Sequence, residues 1–366
     1  MRTELPFKSA PESICILRLS AIGDVCNVVP IVRTLQSYWP TTKISWIIGS
    51  LEHQLVDDIA GVEFIVCNKK NGFRELIDMK RKMAGRRFSI LLQMQAAMRT
   101  SLIGLNIPAD IKLGFHKKQA KDFQWLFTNF KTKPIHQPHV IDGFFGFLEA
   151  MGIGQRKLVW EIPIPKTAKA FAKSKIPTPP KPCLIVNPCS SSRFRNWRNW
   201  RPERYAQIID YAANRYDAVT LLTGGPDDTE KAYGEDICRI SRSDPVNLIG
   251  KTNLKELLAL LKNASAAVSP DTGPIHIANS LGVPTIGLYA GSNPYRTGPY
   301  LFQNWVVNAY PEAVRNEFGK NVDEITWGKR IRQPNVIDLI TVDAVKEKID
   351  QALTMPRRHK GRYNSI

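Results

Sequence analysis

Between Ala266 and Tyr289 a strand, a polar turn, a helix and a second strand follow one another without a gap. Few folds accommodate that succession. Ala266 to Ser269 reads as a short buried strand that breaks at Pro270. Asp271-Thr272-Gly273 makes the turn, and Gly273-Pro274 opens an amphipathic helix carrying Ile275, Ile277, Ala278 and Leu281, stopped by Gly282 and Pro284. The second strand, Thr285 to Tyr289, follows at once. Two strands joined through a helix form a βαβ unit, whose helix begins at the carboxyl end of a parallel sheet, where open α/β sheets bind ligands.

The same alternation runs through the whole chain. Strand patterns lie at 13–19, 44–48, 63–66, 89–94 and 111–115, and again at 183–187, 219–223, 246–248 and 266–269, with helical patterns between them. The first helix is expected from about Asn27, which places Pro30 in a first turn, where proline is tolerated. Residues 116–133, rich in aromatics and lysine, fit neither period and read as a loop or short helices at the sheet edge. Pro163, Pro165, Pro177, Pro179, Pro180 and Pro182 surround a short lysine-rich helix, the composition of a domain boundary. The expectation is therefore an α/β protein with two Rossmann-like domains facing each other across a cleft. The first spans 1–175, a linker 176–182, the second 183–355, and a basic tail 356–366 is expected to be disordered.

With 366 residues the chain exceeds the usual size of one core, which agrees with two domains. Six scattered cysteines show no CxxC spacing and read as reduced core residues, so neither a disulfide framework nor a zinc site is expected. No apolar run approaches the ~20 residues of a membrane span, and the N-terminus has no secretory pattern, so a cytoplasmic location is expected. The formal charge of +18, with the larger excess in the first half, calls for an anionic partner or a solvated basic face.

Chemistry concentrates at four turns. Backbone N–H groups at the start of the 273–281 helix, the Thr272 hydroxyl and a dipole worth about half a positive charge suit a phosphate, and His276 falls one turn in. The same residues also suit a plain capped helix start. Asp24, in SAIGD after the first strand, is a candidate general base or else a helix cap; with one glycine the turn is not a dinucleotide fingerprint. The run SSSRFRNWRNWRPERY, 190–205, brings Ser190, Ser191, Ser192 and several arginines to the end of the second domain's first strand, and LLTGGPDDTEKA, 221–232, closes another strand on a tight glycine turn. Asp57-Asp58 lies in a helix pattern and Asp227-Asp228 after a turn. Neither makes a metal-holding acidic pair on a suitable loop, so the charge of a bound phosphate falls to cations and helix dipoles, and neither metal nor cofactor is expected.

Taken together, SxxGD near the N-terminus and DTGxxH about 250 residues later, with the GGP turn between them, resemble the ADP-heptose:lipopolysaccharide heptosyltransferases, glycosyltransferase family nine. The resemblance covers nearly the whole chain. It implies a GT-B fold and inverting, metal-independent transfer of heptose from ADP-L-glycero-D-manno-heptose to the Kdo or inner-core region of lipopolysaccharide. The protein would sit peripherally at the inner face of the cytoplasmic membrane. Asp24 is then the base. Arg198 takes the place of a family lysine at the donor phosphates, with Trp200 two residues on, and Asp228 that of an acidic residue at the ribose. Ser190, Asp271, Thr272, Gly273 and His276 complete the donor side. On the acceptor side Arg99, which follows a buried strand at its carboxyl end, matches a cationic position, and Lys117, Lys118 and Lys121 are further candidates. Asn27 stands where many relatives carry histidine.

Three rival readings remain at this point. A relative on the same fold with another donor or acceptor sugar differs in only a few pocket contacts. A nucleic-acid-binding protein is motivated by the Arg/Trp run, although no RNA- or DNA-binding signature is present, and nucleic acid is not the expected partner. A nucleotide-sugar sensor would bind and turn nothing over.

Overall fold

The computed structural model describes residues 9–72, 74–177, 181–190 and 197–354, and of Lys70 the backbone alone. Ser191, Ser192 and the basic tail lie outside the described residues. The chain divides into two compact units, one up to Pro163 and one from Ile164. The helix Lys166–Lys175, whose Ala168 and Ala172 are buried, packs against the helix Leu254–Lys262. The division thus falls ahead of that helix, earlier than the proline-rich 176–182 stretch.

The first unit holds β1 (Ser13–Leu17), β2 (Lys43–Gly49), β3 (Val62–Cys67), β4 (Phe88–Leu92), β5 (Ala109–Gly114) and β6 (Phe130–Lys131), all parallel, in the order β3-β2-β1-β4-β5-β6. The second repeats the plan with β7 (Cys183–Val186), β8 (Val219–Leu222), β9 (Val246–Asn247), β10 (Ala266–Pro270), β11 (Thr285–Tyr289) and β12 (Val307–Asn308), in the order β12-β11-β10-β7-β8-β9. The central strands are uniformly apolar because helices cover both faces, and Ile14, Ile16, Leu184 and Val268 are wholly buried. Strand order reverses between β1 and β4 in one sheet and between β7 and β10 in the other. At such points the loops on either side diverge and leave a crevice at the carboxyl edge.

Two local expectations changed. The first helix starts at Ile22, not near Asn27, and runs to Tyr38 with Pro30 inside it. Proline deprives the carbonyl four residues earlier of its donor. That carbonyl, Cys26 O, instead accepts the Trp160 indole N–H at 2.9 Å, so the helix continues. Strand β10, in turn, does not stop before Pro270 but includes it. All six cysteines are free; burial pushes the Cys67 thiol up to about 12.

The 116–133 segment is mostly irregular but ends in β6, whose Lys131 is 1% exposed and donates to the Thr128 carbonyl and hydroxyl. Burial lowers its pKa from 10.5 to about 8. The folded protein therefore holds this proton less tightly than the unfolded chain does. Its cost to stability is full below pH 8 and is offset as pH rises from 8 towards 10.5. Lys131→Met is expected to stabilise the protein by on the order of 2–3 kcal/mol at neutral pH, with the gain shrinking above pH 8. Denaturant titrations of both proteins at three pH values check it; a pH-independent difference rejects the assignment.

Candidate active site

In the first unit the residues after β1 and β4 interlock. Arg18 donates from Nη1 to the Met94 carbonyl at 2.6 Å, while its Nη2 pairs with Asp24 Oδ2. The guanidinium carbon lies 5.2 Å from the centroid of the Phe144 ring, which shields one face. Gln95 Oε1 accepts the Leu19 N–H at 2.8 Å and the Ser20 N–H at 3.3 Å, closing the turn from the other side. Opposite it, Gly49 N–H donates to Leu19 O at 3.1 Å, and a Cβ at Gly49 would lie 2.5 Å from that oxygen, so the approach requires glycine.

Asp24 sits in the first turn of the Ile22–Tyr38 helix, its side chain 31% exposed. Its Oδ2 takes Arg18 and, at 3.4 Å, the Ala21 N–H, whereas Oδ1 has no hydrogen-bond partner among the described residues. The carboxylate therefore caps its helix and also keeps an oxygen available to accept a proton. One cation orients it and offsets its charge. Sequence reading missed Arg18 and Gln95. The signal for Arg18 was a charged residue inside the apolar run ICILRLS; Gln95 carried none.

Arg99 is exposed in the first turn of the helix Met98–Leu105, just beyond the carboxyl end of β4. The Met98 N–H donates to Asp122 Oδ2 at 3.2 Å, which joins this helix start to the segment carrying Lys117, Lys118 and Lys121, all exposed. Asn27, by contrast, is 2% exposed inside its helix.

In the second unit the turns after β7 and β10 meet. Arg198 Nη1 donates to the Asp271 carbonyl at 2.6 Å and lies 3.5 Å from its Oδ2. Tyr289, buried at the end of β11, also faces Asp271, and its hydroxyl is pushed well above its usual range by burial first and by that carboxylate next. Tyr289 had not been anticipated from sequence. Thr272 caps the helix Gly273–Ser280 through its backbone, with no cap hydrogen bond from its side chain, and both Thr272 and Gly273 are partly exposed. A cation beside a helix start carrying an uncommitted hydroxyl is suited to a phosphorylated ligand. His276 lies in the same helix, 8% exposed.

Other donor-side candidates are placed differently. Ser190 is 2% exposed, and its N–H and hydroxyl both donate to Asn199 Oδ1, at 2.9 and 3.1 Å, fastening the loop that carries Arg198. Asp228 opens the helix Asp228–Ile240 with an almost fully exposed side chain paired with Lys231 at 2.9 Å. The half-buried acid of this turn is Glu230, which accepts the Gly225 N–H at 2.7 Å and whose pKa is raised by burial. Trp200 is wholly buried, donating its indole N–H to Ile340 O at 3.1 Å, and Trp197 packs on the same core. Trp200 is thus withdrawn from any stacking role in a nucleic-acid reading. Among the described residues no three His, Cys, Asp or Glu side chains converge as a metal ion requires, and no helix is long and apolar enough to cross a membrane.

Two Rossmann-like units in one chain, each a parallel six-stranded sheet with a switch point, have the architecture of the GT-B class. Comparison with solved structures agrees on the fold. The glycosyl transferase family 9 structure from Veillonella parvula superposes with a TM-score of 0.74 at 23% identity, covering 93% of this chain and 97% of that one. E. coli heptosyltransferase WaaC with ADP gives 0.69 at 19% identity, covering 93% and 99%. The sequence profile of glycosyltransferase family 9 (heptosyltransferase) matches residues 76–324. The lipopolysaccharide core heptosyltransferase OpsX of Haemophilus influenzae is 37% identical over 339 residues, 93% of this chain and 96% of that protein. The chain belongs to glycosyltransferase family 9, the heptosyltransferases.

Proposed function

We propose that this enzyme transfers heptose from ADP-L-glycero-D-manno-heptose to the Kdo or inner-core region of lipopolysaccharide, inverting the anomeric carbon without a metal ion, as a peripheral protein on the cytoplasmic face of the inner membrane. The reading draws its acceptor class from the 37% identical relative, whose name specifies the lipopolysaccharide core, and its donor from the family resemblance. The observation that carries the mechanism is the Arg18–Asp24 pair with one carboxylate oxygen left uncommitted. An acceptor hydroxyl gives its proton to Asp24 as its oxygen bonds to the anomeric carbon. The bond from that carbon to the diphosphate breaks on the opposite face, and ADP departs with the electron pair. Arg198, with the Thr272–Gly273 helix start, stabilises the charge that collects on the diphosphate; this supports a metal-free reaction. Asp271 and His276 shape the donor pocket, and Arg99, Lys117, Lys118 and Lys121 meet the anionic acceptor.

The test is transfer from ADP-heptose to a Kdo-bearing lipid A with EDTA present. Turnover at the rate seen without EDTA, giving a product of inverted configuration, is the expected result. Activity abolished by EDTA and restored by a divalent ion would remove the metal-free step. Tight donor binding with no transfer to this or other core acceptors would leave a sensor.

A further inference from the structure

We propose that residues 116–127, between β5 and β6, are the surface by which this protein docks on an anionic phospholipid bilayer, with Phe123 and Leu126 entering the lipid. The proposal deepens the reading of a lipid-borne acceptor and rests on it for its purpose, although docking itself is measured without any sugar transfer.

The segment holds its apolar residues outward. Phe123 is 62% and Leu126 63% exposed, and Met98, whose N–H meets Asp122, is 40% exposed. Asp122 and Phe123 both take positive φ, 50° and 56°, so two successive non-glycine residues occupy the left-handed region. Side chains other than glycine seldom adopt that region. An exposed phenylalanine held by a disfavoured backbone is opposed by both local sterics and the hydrophobic effect, which marks a surface shaped for a partner.

Charge identifies that partner. Lys117, Lys118 and Lys121 are exposed in the same segment, and Lys117 Nζ lies 4.8 Å from the centroid of the Trp125 ring, which is half-buried. Asp122 is the only acid from 115 to 133, and its carboxylate is turned to the Met98 N–H. A few exposed apolar side chains within a basic segment are what an interfacial bilayer contact needs.

Beneath the tip the segment is rigidly seated. Gln124 is wholly buried; its amide donates to Gln93 O at 2.7 Å and Gln95 O at 3.2 Å, and its Oε1 accepts the Phe115 N–H at 3.3 Å. Gln95 in turn accepts the N–H groups of Leu19 and Ser20, the turn leading to Asp24. The docked tip and the base thus belong to one hydrogen-bonded frame, which sets the height of Asp24 above the lipid surface.

Flotation of the full chain with phosphatidylethanolamine/phosphatidylglycerol vesicles, beside phosphatidylcholine vesicles, tests the surface. The wild type is expected to partition at least about tenfold more strongly to the anionic vesicles. Phe123→Ser/Leu126→Ser is expected to lower that partition by at least about tenfold while leaving transfer to a deacylated, soluble acceptor unchanged. Lys117→Gln/Lys118→Gln/Lys121→Gln is expected to remove most of its salt dependence. Wild-type indifference to lipid charge, or a double variant that floats like the wild type, overturns the proposal. If docking is lost in the double variant but no heptose reaches a Kdo-bearing acceptor, the docking surface stands and the reading of the reaction falls.

Discussion

Asp24→Asn is expected to slow heptose transfer at least about a hundredfold while leaving donor affinity within about a factor of two of the wild type. The amide is nearly isosteric and still accepts the Ala21 N–H, so the helix start survives. It cannot take a proton, and it no longer offsets the Arg18 cation. General-base assistance is worth about 10² to 10⁴ in rate, and the whole of it is removed here. Single-turnover transfer at saturating donor, beside calorimetric titration with ADP-heptose, separates the two effects. A variant within fivefold of wild type in the chemical step would leave Asp24 as a helix cap only.

The second large effect is expected from Arg198→Ala, which should lower kcat/KM by about 10² to 10³. Arg198 meets both the carbonyl and the carboxylate of Asp271. Its removal withdraws the cation from a departing diphosphate and leaves a 7% exposed carboxylate without that neighbour, at the place where an anion is to bind. Arg198→Lys should recover most of the loss through charge alone. Steady-state kinetics with ADP-heptose, with ADP binding as a second readout, decides it. Wild-type kcat/KM in the alanine variant would move the phosphate contact elsewhere.

Both residues were candidates from sequence, Asp24 from its turn and Arg198 through the family resemblance, because the pattern of strands and turns around them is local. A buried parallel strand is an apolar run, and a turn to a helix needs glycine, proline or a small polar residue; both periods survive in a single chain. That was enough to place ten of the twelve described strands, the two-unit plan, and Asp24, Arg198 and Thr272 in turns that follow strands. Strands β6 and β12 were beyond it, although the equally short β9 was legible; a two-residue strand has no period of its own and exists by pairing with a neighbour.

What the sequence alone determined, then, was the α/β plan and which turns are candidates to carry chemistry. The tertiary structure decided how those turns are held. Cys26 O meets Trp160 across 134 residues and lets a helix run through Pro30. Gln95 reaches Leu19 across 76, and Arg198 reaches Asp271 across 73. It also gave Ser190 to Asn199, left Asp228 outside and put Glu230 within the turn. A backbone group that loses its neighbour must find another partner or remain buried unpaired, and which distant side chain supplies that partner is set by packing, to which no local pattern corresponds.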